Sequence, residues 1–155
     1  MAHAETEPDP WVIREAVAED CHTLTDLMLR SSAYQGRYQA IVADYPVTRA
    51  MVERGGIFVA ERAGKAVGFY RLDFANADLD LMFVADEVQG MGIGQALLDH
   101  MRSFAASQGL PTVTIVAHPP AADFYRRMGA VDTGISKSKR GNGWDRAILK
   151  IATLS

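Results

Sequence analysis

The chain has 155 residues, 48% of them hydrophobic, and 16 Lys and Arg against 19 Asp and Glu give it a net charge of -3. That is the size of one domain with its own core; the weakly acidic balance disfavours nucleic-acid binding, and no apolar run approaches the roughly 18 residues needed to cross a membrane. A single cysteine, Cys21, excludes an internal disulfide framework, the four scattered histidines have no metal-ligand spacing, and the acidic start MAHAETEPDP is no secretory signal, so a soluble, cytoplasmic protein without metal is expected.

Residues 1–10 lack apolar periodicity and are expected to form a flexible tail, leaving 11–155 as the domain. WVIREAV alternates well enough for a first strand. Over 18–32, Cys21, Leu24, Leu27 and Met28 recur at helical spacing, and Glu19 and Asp20 suit a helix start. AYQGRYQAIVADYP is a loop or a short helix, and the span 46–54 is a helix opened by Pro46 and stopped by Gly55 and Gly56. IFVAER, AVGFYRLDF and DLDLMFVA follow, joined by short turns, as an antiparallel meander. The span 92–108 carries Leu97, Leu98, Met101, Phe104 and Ala105 on one stripe and stops at Gly109. TVTIVA is a β-branched strand, AADFYRRM a short helix ending at Gly129, and VDTGIS with DRAILKIA a closing hairpin across SKRGNGW. The order predicts an α/β (α+β) fold, a single domain with a mixed sheet of about seven strands and helices on both faces. Two strand-helix-strand units ask for parallel neighbours, while the meander and hairpin ask for antiparallel ones.

Between the meander and the long helix stands QGMGIG, with glycines at the alternate positions 90, 92 and 94. A strand followed at once by glycines and a helix presents unpaired N–H groups and the positive end of the helix dipole, which suits a phosphate. The dipole alone is worth about 0.3 to 2 kcal/mol, so the glycines matter more, by letting phosphate oxygens approach several amides. Two familiar phosphate motifs fail here. Counted from Gly90, the sixth residue is Gln95 where a dinucleotide fingerprint needs glycine, and no Gly-Lys-Ser/Thr supplies a P-loop.

The stretch Gln89, Gly90, Met91, Gly92, Ile93 and Gly94 resembles the acyl-CoA signature of the GNAT acetyltransferases, Gln/Arg-x-x-Gly-x-Gly/Ala. A second signature of that family, Ala-x-x-Phe-Tyr-x-x-x-Gly, is similar to the segment from Ala121 through Phe124 and Tyr125 to Gly129, one strand further on. The resemblance implies that acetyl-CoA is the cosubstrate, with the amides of the glycine loop on its pyrophosphate and the backbone of Phe83 and Val84 pairing with its pantetheine arm. It implies Tyr125 as the acid that protonates the departing thiolate, since a phenol and a thiol have comparable pKa values. The attacking ammonium must lose a proton, and Asp80, three residues before Phe83, is the candidate base; a solvated strand-face carboxylate is its alternative. His118 stands six residues before Phe124, where the family often has a cofactor-contacting Asn, and it could bind CoA, relay a proton or end the strand. Cys21 reads as packing, which favours direct transfer over an acyl-cysteine. Tyr34, Arg37, Tyr38 and Tyr45 fall in the segment that borders the acceptor pocket in that fold, with Tyr34 and Tyr38 the expected substrate contacts. The acceptor expected is a primary amine on a small molecule or peptide. A homodimer joined through WDRAILKI is compatible with the family. Two other readings stand beside this one, a non-catalytic acyl-CoA-binding or sensor module and a nucleotide-phosphate binder unrelated to CoA.

Overall fold

A computed structural model describes residues 11–138 and 144–154, except for the side chain of Arg37. The expected tail at 1–10 and the tip of the SKRGNGW loop lie outside the described residues. Seven strands form one sheet in the order β1-β2-β3-β4-β5-β7-β6. They are β1 (Trp11–Glu15), β2 (Ile57–Arg62), β3 (Lys65–Asp73), β4 (Asp78–Val84), β5 (Thr112–Ala117), β6 (Val131–Ser136) and β7 (Arg146–Ala152). β1 to β4 run antiparallel, β5 joins β4 in parallel, and β7 pairs antiparallel with both β5 and β6. The mixed sheet is as expected, but only one strand-helix-strand unit makes parallel neighbours. The closing hairpin folds β7 into the slot beside β5 and leaves β6 one place further out. Both edges of β7 are therefore occupied, so its backbone cannot pair with a second copy.

Five α-helices cover the sheet: α1 (Cys21–Leu29), α2 (Gln39–Ala43), α3 (Arg49–Arg54), α4 (Ile93–Ser107) and α5 (Ala122–Arg127). α3 starts later than its proline suggested. Thr48 is its N-cap, with Oγ1 accepting from the Met51 amide at 3.2 Å, so the hydroxyl and not Pro46 sets the first turn. On one face Leu24, Leu27, Met28 and Met51 pack against Val59, Phe69, Leu81 and Phe83. On the other, Leu97, Leu98, Met101 and Tyr125 pack against Tyr70, Leu72, Val113 and Ile115. Six consecutive residues of β3 are buried because helices cover both of its faces. Burying each such Leu or Phe contributes about 1.5 to 3 kcal/mol.

Two irregularities position the site. β4 and β5 share a single registered pair, Asp78 with Thr114, whereas β5 and β7 share six; toward their C-terminal ends β4 and β5 part. The β3–β4 register also slips: Arg71 faces Leu81, but Leu72 faces Leu79. Asp80 is the extra residue of this β-bulge.

Candidate active site

Where β4 and β5 part, the chain forms a groove and, adjoining it, a pocket. The groove runs along Phe83 and Val84, past Gly90, Gly92 and Gly94, to Phe124 and Tyr125. Gly90 and Gly92 have φ of 83° and 85°, the left-handed region that favours glycine. Gly92 caps α4 without any side-chain bond, so the amides of Ile93, Gly94 and Gln95 at the helix start have no intrahelical acceptor. Gln89 folds back, its Nε2 donating to the Val84 carbonyl at 3.1 Å, and ties the loop to the end of β4. A Cβ on Gly94 would stand 3.4 Å from the Phe124 ring and 3.7 Å from Val84. The floor of the groove is thus bare backbone, held under an aromatic wall. That arrangement fits a diphosphate with an extended arm: donors converge without intervening side chains, and the exposed rim of β4 lies beside them. Only the backbone of the loop serves this purpose. The Ile93 side chain is 1% exposed in the core, and the Met91 sulfur accepts from Arg62 Nη1 at 3.6 Å.

The pocket encloses about 500 Å³ and is walled by Tyr34, Tyr45, Asp80, Phe83, His118 and Tyr125. Tyr34, Met82, Phe83, Ala121 and Tyr125 line both pocket and groove, so the two cavities meet at this neck. The Tyr34 ring lies 5.1 Å from Phe83 and edge-on to His118 at 6.3 Å. Burial raises the Tyr34 hydroxyl to about 12. Burial, and secondarily Tyr34, raises that of Tyr125 further, so Tyr125 stays a phenol through the neutral range.

Asp80 reaches the pocket through its bulge. In a regular strand residues 80 and 83 would point to opposite faces; the extra residue turns Asp80 to the Leu81 and Phe83 side. There Oδ2 accepts from Arg71 Nη1 at 2.6 Å and from the Tyr45 hydroxyl at 2.7 Å. Arg71 is 6% exposed, and its Nε has no partner among the described residues. Burial, then the hydrogen bond to Asp80 and the charge of that carboxylate, push Tyr45 up to about 12. Asp78, also on the wall, is raised by burial first and by Asp73 and Asp80 after it. His118 is pushed down to about 4, by burial first and by the charge of Arg146 second, and it is neutral at pH 7.

The structure therefore places Tyr34, Phe83 and Tyr125 at the neck and Asp80 and His118 on the pocket wall, with Val84 and the glycine loop along the groove. Tyr38 does not line either cavity. It ends a 3-10 turn that directs its ring edge-on to Trp144 at 5.5 Å, and Tyr45 stands on the pocket wall instead. Sequence reasoning missed Arg71 and Arg146. A lone arginine inside the apolar run GFYRLDF was the available signal for the first; nothing marked the second.

Residues 53–129 match the family model described as acetyltransferase (GNAT) domain. The chain is 31% identical over 111 residues to an uncharacterized N-acetyltransferase of Methanocaldococcus jannaschii, a match that covers 64% of this chain and 47% of that protein. It therefore spans about half the length of that relative. It is 29% identical over 111 residues to the peptidyl-lysine N-acetyltransferase YjaB of Salmonella typhimurium, covering 69% of this chain and 68% of the relative. Among solved structures, the PaiA N-acetyltransferase of Thermoplasma acidophilum in complex with coenzyme A superposes with a TM-score of 0.75 at 15% identity, covering 92% of this chain and 99% of that one. At that identity the likeness is one of fold.

Proposed function

The chain belongs to the GNAT acetyltransferase superfamily, and from that premise we propose that it moves the acetyl group of acetyl-CoA to a primary amine by direct attack in a ternary complex. The observation that carries this is the neck, where groove and pocket share Tyr34, Phe83 and Tyr125. A thioester in the groove and an amine in the pocket have no other common boundary as well suited to meet across. The amides of Ile93, Gly94 and Gln95, with the glycine loop before them, hold the diphosphate, and the rim of β4 at Phe83 and Val84 orders the arm by backbone pairing. A backbone N–H beside Val84 faces the oxygen on which negative charge develops as the amine adds.

Asp80 accepts the ammonium proton. Both of its hydrogen bonds, from Arg71 and Tyr45, end on Oδ2, which leaves Oδ1 to take the proton. The neutral amine attacks the thioester carbon, the C–S bond breaks, and Tyr125 gives its proton to the leaving thiolate. The Tyr125 phenol is protonated when the thiolate departs, and because burial makes it a weaker acid than a free phenol, the transfer rests on its placement at the neck and not on matched pKa values. His118, neutral on the pocket wall, orients the acceptor.

Replacing Tyr125→Phe tests the assignment. Turnover, read as thiol released from acetyl-CoA, is expected to fall roughly 10²- to 10⁴-fold, with acetyl-CoA affinity close to that of the parent. Unchanged turnover would remove Tyr125 from the chemistry.

A further inference from the structure

Among the described residues, the pocket is lined by one cation that the proposed acetyl transfer does not use. Asp80 is matched by Arg71 at 2.6 Å. Arg146, at the start of β7, lines the same pocket and also an adjoining hollow of about 310 Å³ bounded by Ile41, His118, Ser136 and Trp144. Among the described residues its guanidinium makes one hydrogen bond, from Nη2 to the neutral Ser136 Oγ at 3.3 Å. The acid next to it in sequence, Asp145, is committed elsewhere, accepting from the Ser138 amide at 2.9 Å and lying 3.7 Å from Lys137 Nζ. A half-buried guanidinium with five donors and one neutral partner is incompletely satisfied. Its planar fork matches a carboxylate.

The position of Arg146 relates it to the reacting end. His118 sets its ring edge-on to Tyr34 of the neck at 6.3 Å, and His118 and Arg146 both line the pocket and the adjoining hollow but not the groove. An acceptor whose amine reaches the neck extends past His118 to the guanidinium. A polyamine would bring a second ammonium to that place, and two like charges in a partly desolvated pocket repel.

We infer that the acceptor is a small amine that also bears a carboxylate, an amino-acid-like zwitterion, and that Arg146 is the specificity-determining residue that holds this carboxylate. The inference rests on the acetyl-transfer reading of the same neck. A carboxylate of this kind is found on a free amino acid and also at the end of a short peptide.

The test uses the full chain with acetyl-CoA and matched acceptors: amino acids, their decarboxylated amines, and short peptides with either a free or an amidated C-terminus. The ratio of kcat/KM for carboxylated over decarboxylated acceptor is expected to exceed one in the parent. It is expected to fall roughly 10- to 100-fold in Arg146→Gln, mainly through KM, and to recover in part in Arg146→Lys, which restores charge without the fork. A preference for amino acids over free-carboxylate peptides names the free amino acid as the source, and the reverse preference names the peptide end. Acetyl-CoA binding and thermal unfolding of each variant, read alongside, establish that it is folded and loaded. Equal or better use of decarboxylated amines, or a ratio indifferent to Arg146→Gln, overturns the inference and leaves acetyl transfer standing. No thiol release from any amine overturns the acetyl-transfer reading and this inference with it.

Discussion

Burial fixes the protonation states around the neck, and it acts in opposite directions on phenol and imidazole. The Tyr34 and Tyr125 hydroxyls are raised and keep their protons, while His118 is lowered to about 4 and stays uncharged. For His118 the folded pKa lies below the unfolded value near 6.5, so the unfolded chain takes up the proton first as the pH falls. Its neutral burial thus contributes stability that is present above about pH 6.5 and is lost as the pH drops through 4. In His118→Asn that dependence is absent. The difference in urea-unfolding free energy between parent and variant is expected to shift against the parent by on the order of 1 kcal/mol between pH 7 and pH 4, a fraction of the full linkage because the ring keeps a solvent-facing side. His100, also lowered by burial and hydrogen-bonded through Nδ1 to the Tyr70 hydroxyl at 2.8 Å, is common to both proteins and cancels. A difference independent of pH would mean that His118 titrates alike folded and unfolded. None of these shifts is written in the sequence, because each depends on what covers the ring. The motif around Tyr125 gave its place but not the burial that makes its phenol a weaker acid.

Elements bring these residues together through their irregularities more than through their regular spans. TVTIVA is a strand over the residues expected, and the long helix differs from its expected span by one residue at each end, because periodicity reports which side of an element is buried. The bulge at Asp80 has no such signature: it is a mismatch between two strands, and either strand read alone looks regular. Arg71 became legible as the partner of a pocket residue only once that slip had put Asp80 beside it. Gly56 is a similar case. It is recognisable as a helix stop, but not as a contact. Its φ is +95°, and an added Cβ would meet the Leu72 carbonyl oxygen of β3 at 2.2 Å, the strand whose Leu72 amide donates to the Gly56 carbonyl at 2.8 Å. Neither backbone can yield without loosening the β2–β3 junction. Gly56→Ala is therefore expected to cost about 3 kcal/mol or more, the sum of a strained φ and a backbone clash. A denaturant midpoint within a few tenths of a kcal/mol of the parent would show that the junction relaxes freely.

The sheet as a whole consists of two paired halves, β1 to β4 and β5 to β7, joined by a single registered residue pair and by the helices that lie across the seam. Strand order was not legible beyond the meander, since whether β6 or β7 sits beside β5 is decided by how the last hairpin folds back and both strands have similar patterns. The seam is where the groove and the pocket open, and this has an energetic consequence. A ligand lying along the groove touches β4 and the glycine loop from one half and the Phe124–Tyr125 wall that follows β5 from the other. It then adds contacts where the sheet itself supplies few, and because the domain is small enough to unfold as a unit its whole stability should rise with occupancy. Acetyl-CoA at a hundredfold excess over its Kd is expected to add about 2.7 kcal/mol, or roughly 5 to 10 °C in Tm for a chain of this length. Gly92→Ala, which forces a side chain into a left-handed position in the loop proposed to cradle the diphosphate, is expected to reduce that shift. Thermal melts of the parent and Gly92→Ala with acetyl-CoA, ATP and NAD decide the matter: stabilisation by ATP or NAD and none by acetyl-CoA would make the glycine loop a nucleotide-phosphate site and leave the neck without a thioester to receive.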